Sequence, residues 1–457
     1  MTRKLFGTDG VRGLAGGLLT AELALGLGRA ATRQIEAERP RVLIIRDTRE
    51  SGEMLQAAVA AGVSAAGGDA LLGGVLPTPA APLLIERYGF DLAVVLSASH
   101  NPYQDNGIKF FASDAFKLSD EAELEIEREL HRADPSDGAL GESGQGGDAE
   151  ASRGAGIGRD VSRGAGIGRV RELRGLHEDY LRELQTRFCD LGLEGQEILL
   201  DCANGATYRV APEIFRRLGA RVTVVADSPD GRNINAGCGS THVEGLAERM
   251  LTGAHAIGFA FDGDGDRVLA VDRAGRVVDG DELMALAALH LHRVGRLTGG
   301  GVVVTVMTNY GFHAAMEGAG IEVVSTRVGD RYVLEELRAR GWTLGGEQSG
   351  HIIDMGFNRS GDGIAGALLV LEALAGRDLA ERDAMRKLPQ RLVNVRVRDR
   401  GAFEGARSVT EAVRAEDEAL SGRGRVLVRP SGTEPLVRVM VEAVTPGAAC
   451  SVPAAVP

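Results

Sequence analysis

"LAVVLSASHNPYQDNGIK" (Leu92–Lys109) opens on five apolar residues and turns polar at once. An uninterrupted apolar run of that length, bounded by turn residues, reads as a strand covered on both faces, as in parallel sheets. Comparable runs recur at Arg41–Asp47, Glu197–Asp201, Arg221–Asp227, Ala256–Phe261, Gly301–Thr308 and Ile321–Thr326, with helical patterns between them. One such helix is Ser119 followed by "DEAELEIERELHRA", a capping serine with acids in the first turn. The alternation predicts an α/β chain on parallel sheets. Sheets of that kind bind ligands beyond the carboxyl ends of their strands. The loop after Leu96, with Ser99, His100 and Lys109, is therefore a candidate site. Ser, Asn and Pro are also common in plain turns, which leaves a capped turn as the alternative. The surroundings do not match G-x-S-x-G, so a hydrolase elbow is not expected.

A second strand, Ala256–Phe261, runs into Asp262-Gly263-Asp264-Gly265-Asp266-Arg267. On an extended chain, at roughly 3.3 Å per residue, alternate carboxylates stand too far apart to share an ion. Two glycines let the loop curl until they can. A calcium EF-hand would need glycine sixth and glutamate twelfth, where this chain has Arg267 and Arg273. Three carboxylates with an open side suit Mg²⁺; a solvated acidic turn is the alternative. A serine facing such a site points to phosphoryl transfer. Arg429-Pro430-Ser431-Gly432-Thr433-Glu434-Pro435, with Arg438 beyond, offers the hydroxyls, open backbone and guanidinium forks that hold a phosphate dianion, or else is a turn. Gly345-Gly346-Glu347-Gln348-Ser349-Gly350-His351 carries the donor and acceptor mix that sugar hydroxyls demand.

The 457 residues suggest three or four domains at roughly 100–200 residues each. A net charge of −12 argues against a nucleic-acid binder, which needs a basic face. Neither a signal-like leader nor a long apolar run is found, so no membrane partner and a cytoplasmic location are expected. Cys189, Cys202, Cys238 and Cys450 are scattered, as expected of reduced thiols. Gly26–Ala31 fits G-x-G-x-x-A but lies within a helical stretch with no strand before it, so dinucleotide binding is not expected. The segment from Asp134 to Gly168 is rich in Gly, Ser, Asp and Ala and repeats "SRGAGIGR", which reads as a flexible insertion. Strands at Arg391–Val397, Gly424–Val428 and Leu436–Val441, with a helix near Ala402–Leu420, predict a smaller α+β domain before an aperiodic tail.

Taken in order, "LFGTDGVRG" (Leu5–Gly13), "SASHNPYQDNGIKFF", "DGRNINAGCGSTH", "FDGDGDR", "VGDRYV", "GGEQSGH" and "RPSGTEP" resemble the α-D-phosphohexomutase superfamily from Leu5 to about Ala443. Gln348 and the segment Cys238–His242 look like its amino-sugar branch. The resemblance implies a heart-shaped architecture of four domains, three α/β domains with mixed sheets and a C-terminal α+β domain. The divisions would be 1–133, an insertion at 134–169, 170–275, 276–375, 376–443, and a disordered tail at 444–457. It further implies Ser99 as the phosphorylated nucleophile, with Arg12, His100, Lys109 and Arg267 around the reacting group. Asp262, Asp264 and Asp266, with the phosphorylated Ser99, would hold Mg²⁺. Glu347, Ser349 and His351 would grip the sugar; Arg429, Ser431, Gly432, Thr433 and Arg438 would hold the other phosphate. The implied reaction interconverts glucosamine 6-phosphate and glucosamine 1-phosphate through phosphoserine and glucosamine 1,6-bisphosphate, serving amino-sugar nucleotide and cell-wall precursor synthesis. The expected partner is a phosphosugar; a homodimer is left open. A phosphomannomutase or phosphoglucomutase of the same superfamily, a Mg²⁺-dependent sugar phosphatase and a non-catalytic sugar-phosphate binder are the alternatives. The chain departs from the pattern in the doubled repeat, in "THVEGL" without the usual proline, and in "VTPGAACSVPAAVP", where a closing helix is expected.

Overall fold

The computed structural model describes residues 5–7, 9–132, 166–397, 407–420, 422–430 and 436–445. These divide into two compact units, one from residues 1–277 with 353–368, the other from 278–352 with 369–457. Most of the insertion at 134–169 and the tail from 446 lie outside the described residues.

The first unit is organised by the strand Leu92–Leu96, every residue of which is buried. Its sheet runs Val11–Leu14, Asp105–Ala112, Leu92–Leu96, Arg41–Arg46, Asp69–Val75, Val170–Glu172. The last four strands are mutually parallel, whereas Asp105–Ala112 runs antiparallel to both its neighbours. The sheet is thus mixed, and alternation alone misses this because a tight turn can return a strand antiparallel. Asp105–Ala112 corrects a local reading as well: Lys109 sits on a strand, in register with Val95, rather than in a loop.

The glycines of the G-x-G-x-x-A match lie inside the helix Ala21–Arg33, where they serve packing. A Cβ on Gly28 would stand 2.7 Å from the Val59 carbonyl oxygen. One on Gly62 would stand 2.1 Å from that of Leu25, so the helix Ser51–Ala65 lies backbone to backbone on the first. The helix Asp120–Arg132 begins at Ser119, whose Oγ accepts the Ala122 N–H at 3.3 Å.

A second sheet in this unit carries Val268–Asp272, Ile257–Phe261, Glu197–Asp201 and Arg221–Val225 in that order. The last three are parallel, and Val268–Asp272 folds back antiparallel on Ile257–Phe261. The turn between those two strands is the aspartate loop.

In the second unit Gly301–Thr305 is flanked in parallel by Glu322–Thr326 and Leu344–Gly346. A three-stranded antiparallel sheet, Gln390–Arg396, Leu436–Ala443, Gly424–Pro430, closes the chain, with the helix Arg407–Leu420 supplying Leu420 and Val413 to its core. Among the described residues no helix is long and apolar enough to cross a membrane, and Cys189, Cys202 and Cys238 are free.

Candidate active site

Asp262, Asp264 and Asp266 are buried and bring one carboxylate oxygen each within 4.8 Å of one another. The curl expected of their glycines is there: Gly265 has φ +73° and donates to the Asp262 carbonyl at 3.1 Å. A side chain on Gly263 would meet the Ser99 carbonyl oxygen at 2.6 Å. Burial, then Asp266 and Asp264, drive the Asp262 carboxyl well above its usual range. Asp264 is buried beside Asp266 too, but Lys109 and Thr78 bring it below the usual value. Lys109 Nζ donates to Asp264 Oδ2 at 2.8 Å and Thr78 Oγ1 to the same oxygen at 2.7 Å. Asp264 Oδ1 is buried and accepts no hydrogen bond from the described residues. Hard oxygen donors crowded at this range, one without a proton donor, fit a divalent cation.

Ser99 reaches this cluster directly, its Oγ donating to Asp262 Oδ2 at 2.5 Å. The serine is buried and has φ +53°, a left-handed backbone that residues other than glycine rarely adopt. His100 Nδ1 lies 3.3 Å from Ser99 Oγ and 3.2 Å from an Arg267 guanidinium nitrogen. Since arginine only donates, Nδ1 accepts and the neutral ring carries its proton on Nε2. Burial, with Arg267 and Arg12 nearby, pushes the imidazole down to about 4.

Burial opposes the charge on Lys109, but Asp264 at 2.8 Å and Asp9 at 3.0 Å drive its pKa far above the ordinary value. These two carboxylates thus favour its charged form. Asp9 also pairs with Arg12 and Lys117. The sequence-predicted Arg12, Ser99, His100, Lys109, Asp262, Asp264, Asp266 and Arg267 thus converge within one unit. Asp9, Asp47, Arg49, Thr78, Ser97 and Asn235 join them without having been expected. Asp47 and Arg49 did carry a signal, as charged residues at the carboxyl end of a strand.

The other loops lie in the second unit. Glu347 Oε1 accepts the Gly329 N–H at 2.9 Å, joining "GGEQSGH" to "VGDRYV". His351 Nε2 lies 3.8 Å from Asp330. Ser349 Oγ is buried and has no hydrogen-bond partner among the described residues. Arg429 and Arg438 are cross-strand partners. Ser431, Gly432 and Thr433 lie outside the described residues.

Residues 3–137, 178–275, 279–392 and 392–456 match phosphoglucomutase/phosphomannomutase alpha/beta/alpha domains I, II and III and the C-terminal domain, in that order. The chain belongs to the phosphoglucomutase/phosphomannomutase family. It is 50% identical to the phosphoglucosamine mutase of Moorella thermoacetica over 96% of this chain and 95% of that one. With the phosphoglucosamine mutase of Desulforudis audaxviator it shares 49% over 96% and 94%. Among solved structures, a phosphoglucomutase/phosphomannomutase family protein from Burkholderia thailandensis superposes with a TM-score of 0.78 at 23% identity, covering 98% of this chain and 95% of that one. The N-acetylphosphoglucosamine mutase of Aspergillus fumigatus, solved with GlcNAc-6P and magnesium, gives 0.65 at 18%, covering 100% and 95%. These solved structures share the fold, and this chain's aspartate cluster lies in its second family domain.

Proposed function

We propose that this family member is a phosphoglucosamine mutase, interconverting glucosamine 6-phosphate and glucosamine 1-phosphate with Ser99 as the phosphoryl carrier. The observation that carries the reading is the 2.5 Å contact between Ser99 Oγ and Asp262 within a three-carboxylate cluster. The choice of amino sugar rests on the likeness to relatives bearing that name.

Asp262, Asp264 and Asp266 would hold Mg²⁺, with an oxygen of phosphorylated Ser99 completing the set. When bound, the ion withdraws charge from the phosphoryl group and aligns it for in-line displacement. The chain's own residues do the rest. In the forward direction the phosphoserine P–O bond breaks as a bond to the free sugar hydroxyl forms, giving glucosamine 1,6-bisphosphate. The bisphosphate turns over, its other phosphate returns to Ser99, and glucosamine 1-phosphate leaves. A proton leaves one sugar hydroxyl and a proton is gained at the other, so the cycle releases none. Lys109, Arg12 and Arg267 offset phosphoryl charge, and His100 faces the Ser99 oxygen with a neutral ring. Glu347, Ser349 and His351 are assigned to the sugar. Arg429 and Arg438, with Ser431, Gly432 and Thr433, are assigned to the non-reacting phosphate, a binding site a plain phosphatase has no use for.

Peptide mass spectrometry of the Ser99 segment, coupled to a glucosamine 6-phosphate assay with Mg²⁺ and a trace of the bisphosphate, tests this. The expected result is phosphate on Ser99 and formation of glucosamine 1-phosphate faster than isomerisation of glucose or mannose phosphates. A Ser99 that the bisphosphate cannot charge would overturn it.

A further inference from the structure

Ser99 is held by a closed ring of hydrogen bonds that leaves its hydroxyl untouched. Its N–H donates to Ser97 Oγ at 2.9 Å, and Ser97 Oγ donates to Asp47 Oδ2 at 2.6 Å. Arg49 Nε donates to that same oxygen at 2.8 Å, and an Arg49 terminal nitrogen closes the circuit on the Ser99 carbonyl at 2.9 Å. Asp47 and Arg49 have no exposed surface. The rest of the guanidinium is spent on the same loop, reaching the carbonyls of Asn101 at 2.8 Å, Pro102 at 2.5 Å and Asp105 at 3.0 Å. From the domain that carries the aspartates, Asn235 Nδ2 donates to the Ser99 and Asn101 carbonyls at 2.9 and 3.1 Å.

We propose that Asp47, Arg49 and Ser97, helped by Asn235, are positioning residues that keep Ser99 in its left-handed conformation in both states of the catalytic cycle. The proposal rests on Ser99 being the phosphoryl carrier. Once Oγ is esterified it has no proton to give, so its bond to Asp262 cannot persist. Whatever fixes the serine in the phosphorylated state must act through its backbone, and the ring grips both polar groups of that backbone. An ion pair serving stability alone would have no reason to spend its remaining donors on four carbonyls of one loop, and a buried pair is in any case weak evidence for stability. The loop carbonyls are fixed at the fork geometry of arginine, which lysine cannot reproduce.

The test compares the unsubstituted protein with Ser97→Ala, which keeps the Asp47–Arg49 pair, and with Arg49→Lys, which keeps the charge opposite Asp47. Each is charged with glucose 1,6-bisphosphate, and discharge of phospho-Ser99 to glucosamine 6-phosphate is followed by rapid quench in a single turnover. Misplacing a reacting atom by about 1 Å costs on the order of 10²-fold, so the rate constant should fall by about that factor while the discharging fraction and KM stay near their original values. Loss of fold alone would lower the fraction that reacts and leave the rate constant of the remainder unchanged. That second outcome, in Ser97→Ala, overturns the proposal, and this variant decides the matter even if Arg49→Lys does not fold. An unsubstituted protein that discharges normally beside variants that do the same sinks the ring alone. An unsubstituted protein that cannot be charged at Ser99 sinks the mutase reading, and the ring with it.

Discussion

Arg429 and Arg438 stand directly opposite one another on the antiparallel strands Gly424–Pro430 and Leu436–Ala443, like charge facing like charge. Burial, followed by Arg438, holds the Arg429 guanidinium below its ordinary value. Like charges directly opposite one another across a strand pair repel. A phosphate dianion would turn the repulsion into a paired fork. Arg429→Gln should therefore weaken substrate binding. With a charged hydrogen bond worth about 1.5–3 kcal/mol, KM should rise about tenfold or more. Steady-state kinetics read the effect, and an unchanged KM would remove Arg429 from the phosphate site.

Two loops of the site were legible because their chemistry is written in neighbouring residues. Asp262–Asp266 needs three acids and two flexible positions in a row, and Ser99-His100 follows a strand whose apolar run cannot be mistaken. The turn-like composition of Asp105-Asn106-Gly107 puts Lys109 in a loop, although those residues begin a strand pinned between Val11–Leu14 and Leu92–Leu96. Sheet pairing overrode local propensity there. The ring around Ser99 was not legible as a ring, although Asp47 and Arg49 carried a signal at the carboxyl end of a strand. Three stretches far apart in the chain, Asp47 with Arg49, Ser97 beside Ser99, and Asn235, meet only in the fold, and each residue alone is an ordinary polar one near a strand end. Asp69–Val75 escaped too, since Gly73 and Gly74 break its apolar run.

Asp281 gives the second unit a pH-dependent stability. It is wholly buried at the start of the helix Gly280–Arg293, where its Oδ2 accepts the Asn309 N–H at 2.8 Å. Burial, with Asp279 adding to it, pushes its pKa up to about 7. In the unfolded chain the same group titrates near 3.9. Below about pH 4 both states hold the proton and the group is neutral to stability. Between about pH 4 and 7 the folded state binds more protons, so stability falls as pH rises, and above about 7 the loss is complete, on the order of 3–4 kcal/mol. Asp281→Asn keeps an acceptor for Asn309 and cannot ionise, so it should flatten this part of the stability curve. Denaturant midpoints taken from pH 4 to 8 would show it; equal slopes in both proteins would contradict the buried neutral acid.

Mg²⁺ should stabilise the protein by mass action, since it binds the folded cluster and has no comparable site in the unfolded chain. At a hundred times its Kd the gain is about 2.7 kcal/mol. Asp264→Asn removes a ligand charge and weakens the contact with Lys109. In this variant the rise in melting temperature on adding Mg²⁺ should shrink or vanish, and chelation should abolish turnover in the unsubstituted protein. A metal-dependent shift of full size in Asp264→Asn would place the ion elsewhere.

Ser99 itself offers a test in which two inactive variants differ in stability. Its φ of +53° costs a residue with a side chain on the order of 1 kcal/mol or more, and costs glycine nothing comparable. Ser99→Ala and Ser99→Gly both remove the hydroxyl that reaches Asp262, so both should be inactive and refractory to phosphorylation. They differ only at Cβ, which alanine retains in the left-handed region. Glycine does have more freedom to lose on folding, and at an ordinary position it would be the less stable of the two. Here the backbone strain outweighs that entropy, and Ser99→Gly should be more stable than Ser99→Ala by about 1 kcal/mol. Thermal and urea unfolding of the pair settle the sign. A less stable glycine variant would mean that the Ser99 backbone is not held in the left-handed region in solution, and the positioning ring would have nothing to hold.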